Sequence, residues 1–134
     1  CVVKIPRFAF EKFHPATSDL NSSMKSIGET MAIGRTFKEA FNKGLRSLET
    51  GIRGYEEISG PNDEEYLRQK LNTATAERIF YIKNALNNGF SIKTLNQLTG
   101  IDPWFLNNLK DIIDFENKLA ENGKEISAEM LLKQ

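Results

Sequence analysis

The chain is poor in the residues from which most catalytic and metal centres are built. Among its 134 residues it has one cysteine, Cys1, and one histidine, His14. A single thiol cannot close an internal disulfide, so nothing speaks for an oxidising compartment. A tetrahedral metal site needs several nitrogen or sulfur ligands, and no second Cys or His exists to supply them. A general base needs a positioned partner, and His14, between Phe13 and Pro15, reads instead as a turn residue. Charge of one sign is also missing, since 18 Lys and Arg balance 18 Asp and Glu. Proteins that live on phosphate backbones carry a basic surplus, so no nucleic-acid partner is expected. No apolar run approaches the roughly 20 residues that span a bilayer, so no membrane partner is expected. A charged-then-apolar leader is lacking too: Cys1-Val2-Val3 is followed at once by Lys4, Pro6 and Arg7, and the expected location is cytoplasmic. Both ends fall in apolar text, Cys1 to Ile5 and Leu131-Leu132, and read as cut points in a longer chain.

Other chemistry is sparse. Glu56-Glu57 and Asp63-Glu64-Glu65 are acidic enough to raise the question of a divalent cation. Hard cations need oxygens converging from several directions. These residues occupy a connector and a helix start, where the helix dipole already accounts for them. The glycines of Gly51-Ile52-Arg53-Gly54 and Ser59-Gly60-Pro61 have no phosphate-cradling spacing and no Lys-Ser or Lys-Thr behind them, so they read as turns.

What is present divides in two. Residues 1–34 are rich in Val, Ile and Phe, punctuated by Pro6, Pro15, Gly28 and Gly34. Val2 to Ile5 predicts a strand that Pro6 ends or pushes to an edge. From Met24 to Ile33 the residues alternate, with Ile27, Glu29, Met31 and Ile33 on one face and Gly28, Thr30, Ala32 and Gly34 on the other. A face so small predicts close cover by something else. Pro15 to Ser23 reads as a polar loop. Two strands alone are marginal in water and leave edges open to foreign pairing. They are therefore expected to belong to a larger sheet, and the segment by itself to self-associate through them.

From Thr36 the period becomes 3.6. Thr36 and Glu39 fit a capping box, and Phe37, Ala40, Phe41, Leu45 and Leu48 form one stripe that Gly51 stops. Asn62 or Asp63 caps a second helix whose packing face is Tyr66, Leu67 and Leu71. A third, from near Thr75, buries Ile79, Ile82 and Leu86, with Phe80 or Tyr81 at its margin, and stops at Gly89. Ser91 caps a short fourth helix carrying Ile92, Leu95 and Leu98, which Gly100 ends. Asp102 followed by Pro103 is a strong start signal for a fifth, running to about Asn122, or about 30 Å at 1.5 Å per residue. Its expected stripe is Phe105, Leu109, Ile112, Phe115 and Leu119. Ser127-Ala128-Glu129 reads as a further helix start. The fold expected is mainly α: a helical bundle of about five helices preceded by a short β segment.

Ser91 to Leu109 has the rhythm of a helix-turn-helix, and a free-standing DNA-binding module is the alternative function it offers. Against it, the second helix opens on Pro103-Trp104-Phe105-Leu106, and Asp111, Asp114 and Glu116 oppose Lys110 and Lys118. Trp104, Phe105 and Leu106 are the other informative feature. Adjacent helix positions diverge by about 100°, so three bulky neighbours cannot share one side. Part of that surface must meet another helix or another chain, and the three form a candidate interface.

Three strings carry a resemblance. Lys4-Ile5-Pro6-Arg7-Phe8, continuing to Phe10-Glu11-Lys12-Phe13, is the first. The second is Met24-Lys25-Ser26-Ile27-Gly28-Glu29, running on through Met31-Ala32-Ile33-Gly34-Arg35-Thr36. The third is Ile101-Asp102 with Trp104-Phe105-Leu106. In this order and spacing they resemble the carbamoyl-phosphate synthase large subunit family, across essentially the whole chain. The resemblance implies that residues 1–35 are the closing strands of the carboxyphosphate-forming ATP-grasp domain. It implies that residues 36–134 are a helical oligomerisation domain, incomplete at its C-terminus. It further implies an ATP-dependent ligase that joins bicarbonate to glutamine-derived ammonia for pyrimidine and arginine biosynthesis. That enzyme would work with ATP, Mg2+ or Mn2+, a small glutaminase subunit and other large subunits. The family's ATP contacts and metal ligands lie upstream of this segment. No catalytic, cofactor or metal residue is therefore assigned here, and the segment alone is expected to be inactive.

Overall fold

A computed structural model describes residues 1–8, 26–48 and 54–122. Their order is β1 (Val2–Phe8), β2 (Ser26–Ile33), α1 (Phe37–Arg46), α2 (Glu64–Asn72), α3 (Arg78–Asn87), α4 (Ile92–Thr99) and α5 (Pro103–Glu121). The helical body preceded by a short sheet is the architecture expected. His14, the loop 15–23, Gly51 and the helix start at Ser127 lie outside the described residues.

β1 and β2 pair antiparallel, with Val2 opposite Ile33 and Ile5 opposite Thr30. The strand runs through Pro6 instead of stopping there. Gly34 N–H donates to the Cys1 carbonyl at 2.9 Å and the Gly34 carbonyl accepts from the Cys1 nitrogen at 2.8 Å, so this pair exchanges both bonds. Bonded and non-bonded pairs alternate along an antiparallel ladder. Counting from Cys1–Gly34, Pro6 opposite Glu29 falls at a non-bonded pair, where a missing N–H costs the ladder nothing.

The small face of β2 is covered at its C-terminal end, where the cover is α1, while Thr30 is half-buried and Gly28 exposed. Ala32 and Gly34 are buried, while Met31 and Ile33 face outward and are exposed. Thr36 caps α1 by accepting from the Glu39 N–H at 3.2 Å. The Glu39 carboxylate reaches back one residue beyond the usual capping box, to the Arg35 N–H at 3.0 Å.

The core lies on the other side of α1. Phe41 and Leu45 meet Leu67 and Leu71 of α2, Tyr81, Ile82 and Ala85 of α3, Leu95 of α4, and Leu106, Leu109, Ile112 and Ile113 of α5. The caps of the later helices are those read from the sequence. Asp63 accepts from Tyr66 N–H, Ser91 from Thr94 N–H and Asp102 from Trp104 N–H. Gly100 closes α4 in the left-handed region, at φ 71°.

Two faces depart from expectation. α3 begins at Arg78 instead of near Thr75, and it buries Tyr81 through Ala85 without a break, while Ile79 and Leu86 are only half-buried. The reason is polar. Tyr55, from the connector, is itself in the core, and its hydroxyl donates to the Ile79 carbonyl at 2.7 Å. The Asn84 amide accepts from Ile58 N–H and donates to the Ile58 carbonyl and to Asn62 Oδ1. The connector is thus tied to α3 by the buried Tyr55 ring and by Lys83 and Asn84, which reach from α3 to its backbone, while Glu56, Glu57 and Ser59 stay exposed. α5 is also rotated: Leu106 and Ile113 are buried, Phe105 is exposed, and Phe115 and Leu119 are half-buried. It touches α1, α3 and α4, so its buried face is set by three neighbours instead of one.

Candidate interaction surface

The three bulky residues at the start of α5 are divided by the fold. Pro103 at the first helical position and the Asp102 cap, 2.8 Å from Trp104 N–H, fix the helix entry. Leu106 then points into the core and is fully buried, so it is a packing residue. Trp104 and Phe105 stay 55% and 43% exposed.

Their rings are held in place by one another and by Phe37, the first residue of α1. Phe37 lies 5.5 Å from Trp104 and 5.5 Å from Phe105, both edge-on, and Trp104 lies 4.9 Å from Phe105 at nearly a right angle. Phe37 in turn stacks on buried Phe41 at 5.7 Å. Edge-to-face pairs at these separations contribute about 0.5–1.5 kcal/mol beyond burial. The result is an exposed aromatic pair braced by Phe37 and, behind it, by buried Phe41. Sequence reasoning placed Phe37 in the core stripe and missed its second role. No local signal marked it, because the rings it meets lie far along the chain.

Alongside the aromatic pair, an open groove of about 420 Å³ runs between α1 and α5, lined by Lys38, Asn42, Arg46, Ile112, Phe115 and Lys118 among others. Lys38 bridges it to Asp111 at 2.7 Å, and Lys43 and Lys110 pair with Glu39 and Asp114 on their own helices. Its charges mostly answer one another, and no set of acid, base and nucleophile converges there. The Glu39 carboxyl is held below its ordinary value by the Lys43 ammonium and then the Arg35 amide.

The other polar cluster is structural. Lys83, on α3, reaches the Tyr55 carbonyl and, at 2.5 Å, the Glu116 carboxylate of α5. It ties the connector, α3 and α5 together. Burial, and secondarily the Glu116 charge, pushes the Tyr55 phenol far above its ordinary value. Of the acidic residues near the connector, Asp63 is a cap, Glu64 pairs with Arg68 at 2.8 Å, and Glu57 accepts from Asn87. Among the described residues, no group of three or more His, Cys, Asp or Glu could hold a metal ion. No helix among them is long and apolar enough to cross a membrane.

Nothing supports the helix-turn-helix reading. α4 and α5 have its spacing, but the second helix presents Trp104 and Phe105 where a DNA reader offers polar groups to base edges, and Lys110 is paired with Asp114.

Comparison with known proteins agrees with the resemblance. Residues 29–134 match the family model described as the carbamoyl-phosphate synthetase large chain, oligomerisation domain. The carbamoyl phosphate synthase large chain of Archaeoglobus fulgidus is 46% identical over 99% of this chain. The large chain of Buchnera aphidicola is 49% identical over 91%, and that of Gemmatimonas aurantiaca 50% identical over 86%. In each case the match spans 11–12% of the relative's own length. The aromatic surface therefore lies within a domain described by its part in assembly: the chain belongs to the carbamoyl-phosphate synthetase large-chain family and carries that family's oligomerisation domain.

Proposed function

We propose that this segment spaces the working parts of a carbamoyl-phosphate-forming ligase and joins one large chain to another through Trp104 and Phe105. The observation that carries the reading is the braced aromatic pair. Two large rings stand in solvent on a fixed base, in a domain described as oligomerising. Aromatic anchors of this kind dominate the energetics of protein interfaces. Fixing them before contact lowers the entropy lost on association.

The rest of the reaction belongs, on this reading, to the much longer chain around the segment. ATP, the divalent metal and the glutaminase subunit would be held by residues outside residues 1–134. β1 and β2 would close the sheet of the preceding ATP-grasp domain. In support, among the described residues β1 pairs with β2, α1 packs on one face of the pair, and Val2, Met31 and Ile33 stand exposed on the other.

The test is the assembly of the intact large chain. Replacing Trp104 and Phe105 together by alanine is expected to weaken self-association about tenfold or more, as measured by sedimentation. Unchanged association would remove the reading.

A further inference from the structure

The aromatic pair sits on α5, yet what holds it is the first turn of α1, and that turn is seated on the sheet. Two glycines make the seat. A methyl group at Gly34 would lie 2.6 Å from the backbone nitrogen of Ala40, so the first turn of α1 rests directly on the end of β2. A methyl group at Gly44 would lie 2.8 Å from Ile5 Cδ1 and 3.7 Å from Ala32 Cβ. Glycine inside a helix costs about 1 kcal/mol relative to alanine. Its use at Gly44, buried and facing both strands, is explained by this close approach.

From that seat to the interface the path is short. Gly34 meets Glu39 and Ala40, in the turn that begins with Phe37, and Phe37 is 5.5 Å from both Trp104 and Phe105. Phe37 can occupy that place only if the turn carrying it is where Gly34 puts it.

We infer that the sheet is part of the foundation of the assembly surface, with Gly34 and Gly44 as positioning residues that set Phe37 and, through it, the Trp104–Phe105 pair. This rests on the reading of that pair as the contact between large chains. Residues that touch no partner then govern association, and whatever displaces the sheet from α1 weakens assembly.

The experiment uses the intact large chain. Gly34→Ala forces a backbone shift, and Gly44→Val adds three carbons where Ile5→Ala removes three. Association is measured by sedimentation, and amide hydrogen exchange in α2, α3 and α4 reports on the helical body. Gly34→Ala and Gly44→Val are expected to weaken association severalfold with protection in those helices kept, and Ile5→Ala is expected to restore it in the Gly44→Val background. If both glycine variants associate as the unmodified chain does while Trp104→Ala weakens association, the inference fails and the reading of the aromatic pair stands. If Trp104→Ala also has no effect, both fall. Failure of Ile5→Ala to rescue, or loss of protection throughout α2 to α4, would equally overturn the inference, since the effect would then not pass through the seat on the sheet.

Discussion

The two ends of this molecule are held together in opposite ways. In the helical body large side chains fill the space between elements, and Leu67, Leu71, Ile82, Leu95 and Leu106 are fully buried. At the sheet end the elements approach through the absence of side chains, with Gly34 and Gly44 letting α1 lie on the strands. Among the described residues the large exposed apolar side chains of the body are the braced pair Trp104 and Phe105, whereas the sheet leaves Val2, Met31 and Ile33 at more than half exposure on one face. Clustered apolar side chains in solvent present a surface for a neighbour. In the body that surface is a ring pair fixed by α1; in the sheet it is the face that α1 does not cover.

That contrast can be broken most directly in the body. Leu67→Ala removes a fully buried side chain from the centre of the core and is expected to cost about 3 kcal/mol, read from denaturant unfolding. A cost below about 1 kcal/mol would mean that the body is looser than its packing shows.

Next in size is the polar tie of the connector. Tyr55→Phe loses the hydrogen bond to the Ile79 carbonyl and is expected to cost about 1 kcal/mol at neutral pH. The phenol's folded value lies well above its ordinary 10.0, so the folded chain keeps a proton that the unfolded chain releases. The stability it contributes is therefore complete below pH 10 and declines as the pH rises beyond it. The unmodified chain and the variant should draw together in stability above pH 10, as thermal unfolding across pH would show.

The smallest effect belongs to the sheet's outer face. Ile33→Thr, at 65% exposure on a strand, is expected to change the stability of this segment by less than about 0.5 kcal/mol. The same substitution in the intact large chain should be several times more costly if the sheet is covered there. Equal small effects in both settings would remove the proposed place of β1 and β2 in a larger sheet.

Most of the helical architecture was legible because its signals are local. Thr36, Asp63, Ser91 and Asp102 announce helix starts through the bonds their own side chains make, and Gly100 ends α4 at a backbone angle that favours glycine. The small residues Ala32 and Gly34 at the end of β2 likewise foretold their cover. What was not legible was which way α3 and α5 turn. Periodicity marks an apolar stripe but not the neighbours it meets. Lys83 and Asn84 look like surface residues until Tyr55, Ile58 and Glu116 arrive to pair with them. At the candidate surface the three bulky neighbours divide between two sides, as helix geometry requires, but that geometry does not choose Leu106 as the one to turn inward.

By itself the sequence determined where most of the helices begin, that a short β segment precedes them, and which family the chain resembles, because caps, breakers, alternation and short strings act over a few residues. Only the tertiary structure decided that α1 joins the sheet to the body, that Phe37 braces Trp104 and Phe105, and that the connector is held by buried polar groups. Each of those depends on contacts between residues far apart in the chain, from Ile5 with Gly44 to Tyr55 with Ile79 and Phe37 with Trp104, and no local pattern encodes such distances.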